Sequence, residues 1–568
     1  MHIDAVPNRT SRPTYLLRES FRIGKKVRKR TLANLSALTD EQIEAMRAVL
    51  AGVAVRPVQE FFEVVRSRQH GHVQAVRVAM QRLGLEGLIA SRPSAERERV
   101  CAMVAARVLA PHTKLATTRW WHTTTMAEEY GVEGADERDL YEAMDWLLER
   151  QGAIERKLAA RHLREGALAL YDLSSSYFEG THCPLARIGH SRDGKKNKLQ
   201  VNYGLLTART GCPVAVSVYE GNTADASTLM PEVKKLREQF HLEHVVMVGD
   251  RGMISHKAIG ELREIEGIGW ITALKSGQIR SLIEGEALQL GLFDQRSLFE
   301  LSHPDYPDER LVACRNPELA KLRERKRLSL LEATQKELEK VRASVAAGRL
   351  KGKGKVGVRV GRVVNKYKVA KHFELTIEDG RFGFKVLEDQ VAAEAALDGI
   401  YVIRTNLTKK QMSADDTVRS YKGLCEVERA FRSLKTVDLK IRPIHHRLEN
   451  RVRAHIFLCM LAYYVEWHMR EAWRELLFAD EDLEAKQHRD PVAPAERSPE
   501  ALQKITERTL EDGTTVHSFR TLLADLATIV RNTCVTRTAK TPSPAFQIVT
   551  TPSAAQQRAL QLLQRITV

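Results

Sequence analysis

The sequence has few features of a secreted, disulfide-stabilised or membrane-embedded protein. Its seven cysteines form no CxxC pair and their number is odd, which argues against a disulfide framework or a zinc ribbon and favours a reducing compartment. The N-terminus is polar and basic without an apolar core, so no signal peptide is expected there. The most apolar run, Ile456 to Val465, is too short to span a bilayer.

Acidic residues are outnumbered by basic residues. The 568-residue chain has 89 lysines and arginines against 72 aspartates and glutamates, which gives a formal net charge of +17. The excess is spread widely along the chain. A surplus of this size, with a pI near 9.5, favours a polyanionic partner. The length allows several domains and a large buried core.

The first 160 residues predict a basic, helical DNA-binding region. Residues 1–35 are basic and read as irregular, typical of either a flexible arm on phosphates or a solvated tail. Thr39 and Gln42 form a capping-box pattern. Further helices are expected near residues 72–91, 94–109 and 136–160. Short basic helices favour a helix-turn-helix module, but no diagnostic turn sequence is present, and a helical scaffold without base contacts is the alternative.

The pattern changes near residue 165. ALALYDL reads as a buried strand that ends in Asp172, and HVVMVGD reads as another that ends in Asp250. A hairpin of two apolar strands lies between them, and helices and a further strand follow. Residues 165–275 therefore predict a mixed α/β sheet.

After residue 275 the alternation of strands and helices stops. Residues 276–398 contain a long charged helix, a glycine- and lysine-rich loop (LKGKGKVGVRVGR) and a β-hairpin that turns at Asp379-Gly380. This segment has the character of an insertion domain. The expected remainder is a second part of the sheet domain at 399–475 and a C-terminal region at 476–568.

The stretch YKGLCEVERAFRSLK predicts a helix that presents one carboxylate beside an apolar residue and a cation. Tyr421, Glu428 and Lys435 are seven residues apart, so they share one face of a regular helix. Glu426 lies about 160° away around the helix and points elsewhere. The alternative is a solvated amphipathic helix without a role in chemistry.

Asp172, Asp250 and Glu428 together predict a metal site. Strand ends in α/β sheets collect ligand-binding side chains, although a strand-end aspartate often only caps the next helix. The set has hard oxygen ligands and no histidine or cysteine cluster, which suits Mg²⁺ or Mn²⁺ rather than zinc. Two such ions would support phosphoryl transfer.

The chain resembles the DDE transposases of bacterial insertion sequences, in the insertion-sequence-four superfamily. That group carries the signature Y-(2)-R-(3)-E-(6)-K, which Tyr421, Glu428 and Lys435 match, whereas Leu424 stands at the arginine position. The segments YDLSSSYFEG and VGDRGMIS are similar to the surroundings of the family's two aspartates. GHSRDGKKNKLQVNYGLL and EGNTADAST lie between them in the order of the family.

The resemblance implies a ribonuclease-H-like fold interrupted by an insertion. It also implies that Asp172, Asp250 and Glu428 hold two Mg²⁺ or Mn²⁺ ions. Water activated by these metals cuts the transposon end, and the freed 3′ hydroxyl then attacks target DNA. The family acts on terminal inverted repeats as an oligomer, here expected to be a homodimer, in the bacterial cytoplasm at the nucleoid and without a membrane partner.

Several basic residues are expected to contact DNA. Tyr421 and Lys435 would contact phosphates near the cleaved end, and Arg432 or Arg429 would replace the missing arginine. The loop around His190 could hold DNA or be merely solvated; its basic members are Arg192, Lys195, Lys196 and Lys198. Asp193, placed in a polar turn, and Glu426 are not expected to bind metal, and Asp225 is expected to cap or begin a helix.

Two alternatives remain from the sequence. A ribonuclease-H-like nuclease or resolvase would share the carboxylates but would have little use for the insertion and the basic flanking regions. An inactive transposase derivative would only bind DNA, and the intact set of three carboxylates argues against it.

Overall fold

The structure is a computed structural model and describes residues 1–9, 11–53, 62–195, 197–294, 296–482, 488–493, 496–536 and 545–568. These residues form two compact units. The first comprises Met1–Arg68 and Val530–Thr550, and the second comprises Gln69–Ile529 and Thr551–Val568.

The strands are β1 (His2–Val6), β2 (Thr14–Ile23), β3 (Lys26–Asn34), β4 (Phe62–Gln69), β5 (Ala167–Tyr177), β6 (Arg187–Ile188), β7 (Leu199–Ala208), β8 (Pro213–Glu220), β9 (Val245–Val248), β10 (Ile268–Ala273), β11 (Leu298–Leu301), β12 (Arg310–Arg315), β13 (Phe373–Glu378), β14 (Arg381–Val386), β15 (Ile400–Thr405), β16 (Val530–Thr536) and β17 (Phe546–Val549). The helices are α1 (Asp40–Leu50), α2 (Gly71–Arg82), α3 (Leu85–Ile89), α4 (Ala95–Leu109), α5 (Lys114–Trp120), α6 (Met126–Glu129), α7 (Glu137–Glu149), α8 (Gln151–His162), α9 (Leu229–Lys234), α10 (His256–Arg263), α11 (Ser276–Glu284), α12 (Pro317–Ala346), α13 (Lys353–Tyr367), α14 (Glu388–Ala395), α15 (Ala414–Lys422), α16 (Leu424–Arg432), α17 (Glu449–Ala472), α18 (Pro499–Thr506), α19 (Phe519–Leu526) and α20 (Ala554–Leu563).

The N-terminus is a β-sheet, and the expectation of an irregular segment over residues 1–35 is wrong. Strands β1, β2 and β3 form an antiparallel sheet. The two-residue connection Gly24-Lys25 joins β2 to β3, with Gly24 in the left-handed region at φ 60°. Every residue of β3 is exposed, so no apolar alternation marks it as a strand in the sequence. Thr39 caps α1 through the predicted capping box with Gln42.

A nine-stranded mixed sheet forms the centre of the second unit. Its order is β11-β12-β15-β10-β9-β5-β7-β6, and β8 pairs with β7. Strand β9 runs parallel to both β5 and β10, and the other pairings are antiparallel. The strands and the hairpin predicted between residues 165 and 275 are confirmed, and the fold class is mixed α/β.

The boundary of the predicted insertion is wrong at its N-terminal side. Strands β11 and β12 lie within residues 276–398, yet both join the main sheet, because β12 pairs with β15 from Arg310 to Arg315. Only the segment after β12 leaves the sheet. It has its own hydrophobic cluster, whose buried members include Leu338, Val341, Val356, Val360 and Phe373.

The predicted glycine- and lysine-rich loop is also wrong over most of its length, because it begins helix α13. Val356, Val360, Val363 and Val364 are buried and recur at helical spacing, which outweighs the glycines. The predicted hairpin is confirmed as β13 and β14, which turn at Asp379-Gly380.

Buried helices pack beside the sheet. Helix α17 is almost entirely buried along its middle and contacts α4, α7 and β8. The helices predicted near 72–91, 94–109 and 136–160 are confirmed as α2 and α3, α4, and α7 and α8. In the described part of the chain, no helix has the length and apolar character needed to cross a membrane.

Candidate active site

The two aspartates lie at the same level on neighbouring parallel strands. Leu170 of β5 is in register with Val248 of β9, so Asp172 and Asp250 each follow a registered pair by two residues. Side chains alternate along a strand, which places both carboxylates toward one face of the sheet at the end of the paired segment. Strand β5 continues to Tyr177 beside β7, so the expectation that the strand ends at Asp172 is wrong.

Asp172 is half-buried and its environment disfavours a negative charge. Burial raises the pKa of Asp172 to about 7, and the charges of Asp250 and Glu428 add to the increase. The Leu173 amide, which donates to Oδ1 at 2.8 Å, and the positive charge of Arg192 act in the opposite direction. Asp250 and Glu428 are therefore close enough to Asp172 for their charges to act on it, although the three residues are far apart in the sequence.

Asp250 is exposed and its orientation is set by local backbone. Its Oδ1 accepts hydrogen bonds from the amides of Gly252 and Met253, at 3.0 and 2.8 Å. Helix α10 begins at His256, and Ser255 supplies its N-cap. Asp250 is therefore not the cap of the following helix, which was the alternative role for a strand-end aspartate.

Glu428 is exposed on α16, and the buried residues of this helix pack on the sheet. Val427 and Phe431 are buried, and the Phe431 ring lies 5.8 Å from that of Tyr203 on β7. Glu426 instead pairs with Arg429 at 2.7 Å, so the two glutamates have different surroundings, as predicted.

The predicted single helix from Tyr421 to Lys435 consists of three segments. Helix α15 ends at Lys422, α16 begins at Leu424, and residues Ser433–Val437 form a π-helical turn. Tyr421 remains near the site. Burial raises its pKa to about 12, and the charges of Asp250 and Glu428 contribute to the increase. Leu424 packs against the hydrophobic core.

Lys435 is buried in an ion pair, which the sequence did not suggest. Its Nζ lies 3.0 Å from Oδ1 of Asp193, and Arg442 also binds Asp193. Asp193 lies in a turn, as expected, but its side chain is only 1% exposed. Burial lowers the pKa of Lys435, against the effect of Asp193. These residues line a cavity of about 320 Å³ together with Tyr177, Lys195, Thr436 and Lys440.

The basic loop after β6 is partly committed to contacts within the protein. Arg192 binds Asp225 at 2.5 Å, and its amide donates to Ser175. Lys195 lies 5.9 Å from the centre of the Tyr177 ring. Lys196 lies outside the described residues, and Arg432 is exposed on α16. Asp225 begins a short 3₁₀ helix, as expected.

The donor set fits a hard divalent cation. The three side chains offer only carboxylate oxygens, which are the ligands that hard divalent cations prefer. Their oxygens do not all lie within 4.8 Å of one another; among the described residues, only His162, Cys212 and His468 form such a group.

Two family models match the chain. The family model described as Transposase DDE domain matches residues 181–465, and the model described as IS1634 family transposase, N-terminal domain matches residues 3–60. No curated protein matches the chain at a significant level. One similar solved structure is a cryo-EM structure of the piggyBac transposase synaptic complex with hairpin DNA, at 9% identity and a TM-score of 0.34, which covers 80% of this chain and 76% of that chain.

Proposed function

The chain belongs to the transposase DDE domain family, and we propose that Asp172, Asp250 and Glu428 are its three catalytic carboxylates. It is a DNA transposase, an enzyme that cleaves transposon ends and joins the 3′ hydroxyl to target DNA. The observation that carries the assignment is the shared level of Asp172 and Asp250 on parallel strands, with the charge of Glu428 acting on Asp172.

The same residues are proposed to hold two Mg²⁺ or Mn²⁺ ions. When bound, such ions activate an attacking oxygen and stabilise the leaving oxygen of phosphoryl transfer. Besides burial, the charges of Asp250 and Glu428 both raise the pKa of Asp172, so the three side chains would hold the ions together. Tyr421 stands beside Asp250 and Glu428 and would orient a phosphate there.

The proposed DNA contacts follow from exposure and charge. Arg432 is exposed one helical turn from Glu428. It would take the role of the arginine in the family signature, at whose position this chain has Leu424. Arg192, Lys195 and Lys196 are proposed to contact the backbone of the cleaved end. Lys435 is proposed to act in two ways, by holding Asp193 and by lining the basic cavity.

We also propose a role for each segment of the chain and an assembly on DNA. Residues 1–160 would bind the terminal repeats, the segment after β12 would be an insertion into a ribonuclease-H-like domain, and a homodimer would assemble on DNA. Since its substrate is cellular DNA, we place its action in the bacterial cytoplasm at the nucleoid. Light scattering with and without a terminal DNA fragment tests the dimer.

The catalytic assignment is tested with Glu428→Gln and a matched control, Glu426→Gln. Both changes remove one carboxylate from α16, but Glu426 is paired with Arg429 and faces away from the aspartates. We expect Glu428→Gln to bind terminal DNA with unchanged affinity and to lose end cleavage and strand transfer by at least about 10³-fold. The control should cleave and join within about threefold of the parent protein.

Metal binding is tested separately from activity. Mn²⁺ binding, followed by electron paramagnetic resonance, should weaken in Asp172→Asn and stay unchanged in Glu426→Gln. Normal cleavage by Glu428→Gln, or normal Mn²⁺ binding by Asp172→Asn, would contradict the assignment.

A further inference from the structure

A second group of metal-ligand side chains lies away from the carboxylates. His162, Cys212 and His468, which we call the His–Cys cluster, have ligand atoms that all lie within 4.8 Å of one another. The residues are far apart in sequence, which explains why no histidine or cysteine cluster was expected. The nitrogen and sulfur donors differ in kind from the oxygen donors of the active site.

Three structural elements meet at the His–Cys cluster. His162 is the last residue of α8, Cys212 follows the turn between β7 and β8, and His468 lies on α17. Both α8 and α17 contact β8. Cys212 and His468 are buried, and His162 is half-buried and reaches the surface. The cluster therefore connects the edge of the sheet to two helices.

The separation of the donors suits one tetrahedral ion. The Cys212 Sγ lies 3.8 Å from Nε2 of His468, which is too long for a strong hydrogen bond. Two ligands at Zn–S and Zn–N distances on one tetrahedral zinc ion lie about 3.6 Å apart. The observed distance between Cys212 Sγ and His468 Nε2 is thus close to the distance between two ligands of one zinc ion.

Tyr464 contacts the rings of both His162 and His468 and orients them. The Tyr464 hydroxyl lies 3.0 Å from Nε2 of His162, and its ring meets that of His468 edge-on at 4.7 Å.

We propose that His162, Cys212 and His468 form a structural Zn²⁺ site that ties α8 and α17 to the turn between β7 and β8. Three protein ligands leave the fourth position to water, which enters on the half-exposed side of His162. Tyr464 is a positioning residue that holds His162. Strand β7 also flanks Asp172 on β5, so the ion would stabilise the sheet that carries the active site without taking part in the reaction.

The test uses the full-length protein and does not depend on DNA cleavage. Zinc in the purified protein is measured by mass spectrometry, and the chelated protein is then titrated with Co²⁺. We expect one equivalent of tightly bound zinc, a near-ultraviolet thiolate-to-cobalt absorption band, and a higher Tm on adding zinc. Cys212→Ser should lose the band and the Tm increase, and Tyr464→Phe should weaken Co²⁺ binding by about 10-fold.

Two control variants establish whether the metal depends on the His–Cys cluster itself. Cys101→Ser changes another buried cysteine and should keep the metal and the band. Asp172→Asn removes an active-site carboxylate and should also keep them, so this site and the catalytic assignment fail independently. If Cys212→Ser does not fold, His162→Asn at the half-exposed position provides the same readout. A parent protein without the thiolate band, or a band that persists in His162→Asn, overturns the proposal.

Discussion

The pair of Lys435 and Asp193 joins a proposed DNA-contact position to a buried structural contact. Lys435→Ala leaves the buried Asp193 with Arg442 as its remaining cation. We expect the free energy of unfolding to fall by about 2 kcal/mol, as for loss of a charged hydrogen bond, measured by urea denaturation.

The double variant Lys435→Ala/Asp193→Asn distinguishes the two roles of Lys435. It also removes the buried negative charge of Asp193, so stability should recover to within about 1 kcal/mol of the parent protein. If Lys435 also contacts a phosphate, terminal-DNA affinity should remain reduced in this variant. A stability loss that the second change does not reverse would contradict the ion-pair interpretation.

Lys114 provides a pH-dependent test of burial at a single residue. Its side chain is buried near Arg107, and no carboxylate among the described residues pairs with it. Burial lowers the pKa of Lys114 to about 7, and Arg107 adds to the effect. Because the folded pKa lies below the unfolded one, the stability from this group is present above about pH 10.5 and is lost as the pH falls through about 7.

Replacement of Lys114 by methionine should therefore stabilise the protein at low pH only. We expect Lys114→Met to raise the free energy of unfolding on the order of 2–3 kcal/mol at pH 6 and to change it little near pH 10. Urea denaturation at both pH values measures the difference. Lys257→Met is the control, since Lys257 is highly exposed on α10 and should show no such pH dependence.

At the scale of secondary structure, the β2–β3 hairpin is the element best suited to contact DNA in the first unit. Lys26 and Arg28 are exposed on β3, whereas Lys29 pairs with Asp4 and Arg30 with Glu19. We expect Lys26→Gln/Arg28→Gln to weaken terminal-DNA binding and to reduce the slope of log affinity against log salt by about 2.

The paired residues of the same strand are the matched control for the hairpin. Lys29→Gln/Arg30→Gln removes the same charge, but these side chains already have carboxylate partners. Their removal should change the salt slope by less than about 1. Equal effects of the two double variants, measured by fluorescence anisotropy across a salt series, would show that only net charge matters.

At the scale of the whole chain, the segment after β12 leaves and re-enters the sheet at one point. Arg315 of β12 pairs with Ile400 of β15, and the Asn316 amide donates to the Gly399 carbonyl at 2.9 Å. Residues 317–398 also have their own hydrophobic cluster. We therefore expect the sheet to keep most of its core without this segment, from which Leu397 packs against the cluster beside β12 and β15.

Replacing residues 317–398 with Asn-Gly should convert β12 and β15 into a tight hairpin. We expect this deletion variant to unfold cooperatively with a Tm within about 5 °C of the parent protein, measured by circular dichroism. Aggregation, or a loss of cooperative unfolding, would show that the segment supports the sheet.

The sequence by itself determined the features that local spacing encodes. Apolar runs marked β5, β9 and β10, and the Asp379-Gly380 turn marked the hairpin β13–β14. The resemblance to DDE transposases singled out Asp172, Asp250 and Glu428, because the residues around each form short motifs. Such features depend on neighbours within a few positions, so they can be read without knowing the fold.

Only the tertiary structure decided which distant residues meet. Strand β12 joins the sheet by pairing with β15, which follows much later in the chain, and β11 joins it through β12. Lys435 pairs with Asp193, and the ligand atoms of His162 and His468 lie near that of Cys212, although these residues are far apart in the sequence. Strand register and helix packing bring these groups together, and burial then sets their charges, so no local pattern could have indicated them.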